Sequence, residues 1–275
     1  MEAESQRGFM REKIIQALDE IEKQHGVHIL YAIESGSRMW GFASQNSDYD
    51  IRFLYASRPD YYISVSKKRD CIEYTDKEND LDFSGWDLQK ALGLLYKSNM
   101  SLYEWLRSPI IYRDSQQIHK FRALADNFWD TKSLIYSYIH LARHNYKAYI
   151  YGREKVKLKK YLYILRTIAA SIYTMEKSSV PPITMPELLL TIEKADKRVH
   201  SFLNGIIEAK KAGEEMSAGN PDGYVNAWIE RVIQECSDFA EQLPDIHRDI
   251  TALDRHLYET IKEMYFQDEI KDSLT

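Results

Sequence analysis

The 275-residue chain has only two cysteines, Cys71 in a predicted strand and Cys236 in a predicted helix of a different domain. That excludes a disulfide framework and fits reduced, packed thiols. No apolar run is long enough to span a bilayer, and the opening M-E-A-E-S-Q-R-G lacks the apolar stretch of a signal peptide. The expectation is a cytoplasmic protein with no membrane partner. Low-complexity segments and evident internal repeats are also missing, which excludes repeat arrays. Nor is there an excess of positive charge. With 37 Lys and Arg against 42 Asp and Glu, the net charge is −5, so an anionic substrate must be met by a local basic patch. His140 and His144 stand one helical turn apart, but no H-E-x-x-H motif and no third ligand of matched spacing accompanies them, so zinc is not expected.

What is present is an ordinary globular composition, 44% hydrophobic and 29% charged, at a length that suits two modest cores. Tyrosine is frequent, at 20 residues, and its amphipathic ring can pack a polar-rimmed core or stack on a base.

The most informative stretch runs from Ile33 to Phe53, I-E-S-G-S-R-M-W-G-F-A-S-Q-N-S-D-Y-D-I-R-F, after the apolar run Val27–Ala32. Gly36-Ser37 ends a predicted strand and opens a short helix to Phe42. Asp48-Tyr49-Asp50 opens a second strand, Tyr49–Tyr55. Residues two apart in a strand share a face, so the Asp48 and Asp50 carboxylates can converge on one site. Two hard cations about 3.5–4 Å apart require shared anionic oxygen ligands, and such an aspartate pair supplies them for phosphoryl or nucleotidyl transfer. Gly36 permits close backbone approach, and the Ser37 hydroxyl with its neighbouring amides can hold phosphate oxygens. Arg38 and Arg52 flank this centre, either as ion-pair partners of the aspartates or as contacts to a nucleotide. By period-two counting Arg52 shares the aspartates' face.

Around this stretch the pattern places an amphipathic helix over residues 5–24 and strands over Asp70–Thr75 and Leu81–Ser84. Helices follow at Leu88–Lys97, with Asp87 as N-cap and Trp86 in the core, and at Ser101–Leu106. An extended piece, Ile110–Tyr112, closes the first domain. From Asp114 the periodicity is helical almost throughout, with breaks near Ser178–Pro182, Gly213–Pro221 and Leu243–Pro244 and a capping-box T-M-P-E at Thr184–Glu187. Within it, Asn145–Arg166 concentrates lysine, arginine and tyrosine in a chain that is acidic overall.

G-S-R-x-W-G-F-x-S-x-x-S-D-Y-D-I-R-F resembles the signature of DNA polymerase β-type nucleotidyltransferases. The stretches G-W-D-L-Q-K-A-L, L-x-E-W-L-x-S-P-I-I-Y and K-K-Y-L-Y-I-L-R resemble a bacterial and phage branch of RNA-ligase-associated, polymerase β-like proteins. The likeness covers about residues 25–170. It implies an α+β fold, with a small mixed-sheet catalytic domain over residues 1–112 and an all-α domain over 113–275 that binds nucleotide and acceptor.

The resemblance also implies a third carboxylate on a following strand. Asp82 is the natural candidate, Asp80 the alternative and Glu73 a weaker one, so that Asp48, Asp50 and Asp82 would be both catalytic residues and ligands of two Mg²⁺ or Mn²⁺ ions. The helices after the sheet would close the nucleotide cleft, with Lys159, Lys160 and Arg166 facing the triphosphate and Tyr163 beneath the base, alongside Gly36, Ser37 and Arg38. Lys155 and Lys157 lie nearer a turn and can contact an RNA backbone instead. The implied reaction transfers a nucleoside monophosphate from an NTP to an acceptor hydroxyl, with an RNA end favoured. A protein or small-molecule acceptor, or a nucleotide- or RNA-binding module without catalysis, stay as alternatives.

Overall fold

A computed structural model describes residues 2–44, 47–213 and 218–266, with side chains from residue 8 onward. Helix α1 (Glu2–His25) carries Ile14, Leu18 and Ile21 at one-turn spacing, and all three are buried on the sheet that follows. Strand β1 (His28–Glu34) is apolar on both faces, as a strand covered on two sides must be. The single turn α2 (Gly36–Met39) then leads to β2 (Tyr49–Ala56). After the turn α3 (Pro59–Tyr62), β3 (Cys71–Asp76) and β4 (Leu81–Asp87) follow. Helices α4 (Leu88–Tyr96) and α5 (Met100–Leu106) precede β5 (Ile111–Asp114).

The five strands form one mixed sheet in the order β3-β4-β2-β1-β5, with β2 and β4 parallel and the other neighbours antiparallel. One face packs Ile51, Phe53 and Phe83 against α1. Phe53 lies so close to β4 that a Cβ on Gly85 would sit 2.1 Å from its ring. That close approach of strand and ring admits only glycine. Asp87 caps α4 as expected, accepting from the Gln89 amide at 2.8 Å, and its carboxylate also accepts from the Ser57 and Tyr62 hydroxyls. Burial holds that carboxyl above the usual range, with these hydrogen bonds opposing.

The other face of the sheet, through Leu30, Ile33 and Leu54, opens a core that continues into the helical half. There the chain forms α6 (Gln116–Ala125), α7 (Thr131–Tyr149), α8 (Lys159–Lys177), α9 (Met185–Ala195), α10 (Lys197–Lys211), α11 (Gly223–Gln242) and α12 (Thr251–Tyr265). The expected breaks after Lys177 and Gln242 are present. Periodicity missed two interruptions, a shorter one at residues 126–130 between α6 and α7 and a longer one. Residues 150–158 leave the helix between α7 and α8, where β6 (Val156–Lys157) pairs with β7 (Ala218–Gly219) in a two-residue ladder that no hydrophobic alternation announces. Trp86 is packed as expected, stacked on Trp105 at 3.7 Å between ring centres. At Thr184 the capping box is partial: the hydroxyl bonds the Glu187 carboxylate and caps no backbone amide.

Candidate active site

Parallel pairing of β2 with β4 sets Asp50 directly beside Asp82. Two like charges on adjacent strands repel, and Arg52 answers both. Its guanidinium lies 3.2 Å from an Asp50 oxygen and 2.9 Å from an Asp82 oxygen, and also donates to the Asp82 carbonyl at 3.1 Å. Arg52 therefore does sit on the aspartates' face. Asp80 is removed from the site because it occupies the turn before β4 with φ of 52°, its carbonyl accepting from the Tyr49 amide. Glu73 lies on the edge strand, exposed and paired with Arg69. Of the three candidates, Asp82 is the one that the β2–β4 register sets beside Asp50, although it does not line the cleft in front of these strands.

Asp50 is fixed from behind. Its amide donates to the buried Glu34 carboxylate at 3.0 Å, and its carbonyl accepts from the Ser35 amide at 2.7 Å. Glu34 also accepts from the Tyr112 hydroxyl. Gly36, at φ of 60°, packs against the Asp50 side chain so tightly that a Cβ there would lie 2.0 Å from Oδ2. Burial raises the Asp50 carboxyl above its ordinary value. Arg52 opposes that shift, Asp82 and Asp48 reinforce it, and Lys210 opposes it.

In front of these strands lies a cleft of about 410 Å³. Asp48, Asp50 and Arg52 line it from the sheet, with Gly36 and Ser37 at its α2 end, and Lys159, Tyr163 and Lys210 line it from the helices. Burial lowers the Lys210 ammonium, and Lys159 lowers it further, whereas Asp50 and Asp48 raise it. Two cations and at least two carboxylates thus share one electrostatic environment. Tyr163 stands edge-on to Trp40 with ring centres 5.9 Å apart, and burial and then the Asp50 charge raise its hydroxyl pKa.

Three residues expected at the nucleotide do not face this cleft. Arg38 turns to the opposite side of α2, stacks on the Tyr49 ring at 3.7 Å and donates to the Ser47 and Asp48 carbonyls, so it braces the aspartate loop. The Lys160 ammonium stacks on Tyr149 at 3.7 Å and lines a separate groove. Arg166 is only 3% exposed, paired with buried Glu104 at 2.8 Å beneath the Trp40 ring. Its position on α8 is covered by Trp40, which itself donates to Glu104. His140 and His144 are exposed on α7, and among the described residues no group of three His, Cys, Asp or Glu side chains forms a ready metal cage.

The sequence matches the model of the RlaP family, described as the RNA repair pathway DNA polymerase beta family, over residues 10–259. The chain belongs to this family. A relative described as uncharacterized protein YcgL, from Bacillus subtilis strain 168, is 38% identical over 261 residues, which cover 93% of this chain and 98% of that one. A solved nucleotidyltransferase-like protein from Exiguobacterium sibiricum 255-15 aligns over 92% of this chain and 81% of its own. At 12% identity and a TM-score of 0.33, that overlap is too slight to add to the assignment. Membership makes this RlaP chain a polymerase β-like, nucleotidyltransferase-type protein of an RNA repair family. No described helix is long and apolar enough to cross a membrane.

In this RlaP chain two residues of the site escaped the sequence reading. Glu34 carried one signal, a carboxylate closing an otherwise apolar strand just before the Gly-Ser turn. Lys210 carried none, because a Lys-Lys pair in the last turn of a helix is what the helix dipole alone favours.

Proposed function

We propose that the protein is a nucleotidyltransferase that moves a nucleoside monophosphate from an NTP to an acceptor hydroxyl, and that the acceptor is an RNA end. One observation carries this reading. Asp50 and Asp82 are in-register neighbours, beside a cleft that also gathers Asp48, Lys159 and Lys210. Carboxylates and ammonium groups on two sides of one hollow are what a triphosphate and an attacking hydroxyl together require.

The donor set fits Mg²⁺ or Mn²⁺. All three acidic side chains offer hard oxygens, and the site between Asp50 and Asp82 already accommodates a cation, the Arg52 guanidinium. Magnesium is usually held by one or two carboxylates together with substrate phosphates, so a closed protein cage is not needed. Asp48, Asp50 and Asp82 would hold it, and when bound it supplies charge neutralisation at the phosphate oxygens and acidifies the acceptor hydroxyl.

The chain's own groups account for the remaining chemistry. Lys159 and Lys210 bind the triphosphate and stabilise the charge that grows on the leaving pyrophosphate. Ser37 contacts a phosphate oxygen at the α2 end, and Tyr163 offers its ring face to the base. Asp82, at the open side of the pair, takes the acceptor proton. The acceptor oxygen forms a bond to the α-phosphorus, the bond from that phosphorus to the β-bridging oxygen breaks, and pyrophosphate leaves. Incubation of the protein with α-labelled NTPs, Mg²⁺, total RNA and lysate tests the acceptor. Label on RNase-sensitive material is expected; label confined to protein or to small solvent-soluble products would contradict the RNA assignment.

A further inference from the structure

Fourteen residues, 147–160, carry a net charge of +5 in a chain whose total is −5, so the other residues together hold −10. Much of that positive charge is on the segment that leaves the helix between α7 and α8. Tyr149, Tyr151, Arg153, Lys155 and Lys157 are all exposed there, and Lys160 is half-buried beside them. Together with Ala148 and Val156, most of them line a shallow groove of about 290 Å³, distinct from the aspartate cleft. Among the described residues none of these cations is paired with a carboxylate. Lys155 instead donates to the Asn220 amide oxygen at 2.7 Å, Arg153 to the Ala148 carbonyl at 3.3 Å, and Lys160 lies over the Tyr149 ring.

Exposed tyrosine costs solvation and exposed like charges repel, so a groove built from both suits a ligand that is flat, aromatic and polyanionic. A single-stranded nucleic acid meets all three requirements, with phosphates on the cations and unstacked bases on the rings. The groove's position relates it to the cleft. Lys159 and Lys160 are consecutive in the first turn of α8, and the first lines the aspartate cleft while the second lines the groove. About 3.8 Å of backbone separates their Cα atoms, so the groove and the cleft are both lined from the first turn of α8.

We infer that the groove formed by Tyr149, Arg153, Lys155, Lys157 and Lys160 is the docking site for a single-stranded RNA whose terminal hydroxyl is the acceptor. The inference rests on the nucleotidyltransferase reading for the word acceptor, but the binding itself does not need catalysis.

The test is fluorescence anisotropy with a labelled single-stranded RNA of about 12 nucleotides, a length typical of such grooves. It is run without NTP over a series of salt concentrations. The proteins are wild type, the triple variant Lys155→Ala/Lys157→Ala/Lys160→Ala, its charge-keeping Arg counterpart and the remote pair Lys67→Ala/Lys68→Ala. Loss of three phosphate contacts should weaken binding at least about tenfold near 0.1 M salt and flatten the log–log salt slope by about 2, at roughly 0.7 per contact on a single strand. The Arg counterpart and the remote pair should bind as wild type does, and all variants should keep the wild-type thermal midpoint.

Wild-type affinity in the triple variant, or equal losses in the remote pair, would overturn the site. So would absence of RNA binding by the wild type, even if label were transferred to a protein, in which case the transferase reading survives without this groove. Conversely, the anisotropy assay contains no NTP, so failure of the transfer chemistry leaves the binding result readable.

Discussion

Replacing Gly36 with alanine places one methyl group where the active-site geometry has no room for it. The new Cβ would lie 2.0 Å from Oδ2 of Asp50, 2.9 Å from its Cγ and 3.3 Å from its Cβ, and all three neighbours belong to one side chain. Relief requires the carboxylate to retreat by about 1 Å or more, away from the position in which it shares Arg52 with Asp82. Displacements of about 1 Å in a reacting constellation cost on the order of 100-fold in rate. The left-handed backbone at φ of 60° adds about 1–2 kcal/mol of strain for a residue with a side chain. Gly41 separates the two effects. It has φ of 80°, but a Cβ there would meet nothing nearer than Pro186 Cδ at 4.0 Å. Both variants should therefore lose stability in thermal melts, Gly36→Ala by more because it also displaces Asp50, whereas steady-state transfer kinetics should show a turnover drop of about 100-fold for Gly36→Ala only. A folded Gly36→Ala protein with wild-type turnover would refute the packing of Gly36 on a catalytic Asp50.

Lys210→Ala should raise KM for the NTP and lower kcat, because pyrophosphate gains charge as it departs; steady-state kinetics with saturating acceptor reads both, and two unchanged constants would remove Lys210 from the triphosphate site. Arg166→Leu should destabilise the fold by about 3–5 kcal/mol in urea unfolding, since it leaves Glu104 buried without its partner, and a loss below about 1 kcal/mol would contradict a structural role for the pair. His256 packs edge-on to Phe121 with ring centres 5.6 Å apart, and burial lowers its pKa, with Glu259 opposing, Lys120 adding and Glu263 opposing. The unfolded chain then binds that proton more readily, so its contribution is complete above the ordinary histidine value and is lost as pH falls below it toward the lower folded value. Thermal melts from pH 7.5 to 5 should show a smaller decline for His256→Phe than for wild type, and parallel declines would sink this assignment.

The aspartate strands were legible because they obey a local rule. Alternation placed Asp48, Asp50 and Arg52 correctly, and an apolar strand followed by Gly-Ser located the turn that faces them. The preference for Asp82 over Asp80 rested on the resemblance, and its geometric ground is the β2–β4 register, a pairing between strands more than twenty residues apart in the chain that no local pattern records. The basic helix shows where local rules stop. Once α8 begins at Lys159, Lys159, Tyr163 and Arg166 recur at i, i+4 and i+7 and share a face, while Lys160 is turned about 100° away from it. The start of α8 was hidden because the β6–β7 ladder that interrupts the helices involves only two residues on each side. Even the correct phase would have misplaced Arg166, which lies on the cleft side of α8 but beneath Trp40, a residue more than a hundred positions earlier. Lys210 reaches the cleft only through tertiary packing of α10 on α8.

The central claim is that Asp50 and its neighbours support attack on the α-phosphorus. The measurement that bears on it most directly compares label transfer from α-labelled and γ-labelled NTP, with Mg²⁺ and RNA, by wild type and by Asp50→Asn. The amide is nearly isosteric, so circular dichroism and melting should match between the two proteins. Wild type should place the α-label on the acceptor and release the γ-label as pyrophosphate, and Asp50→Asn should do neither. Transfer of the γ-label to the acceptor, or α-label transfer undiminished in Asp50→Asn, would contradict it.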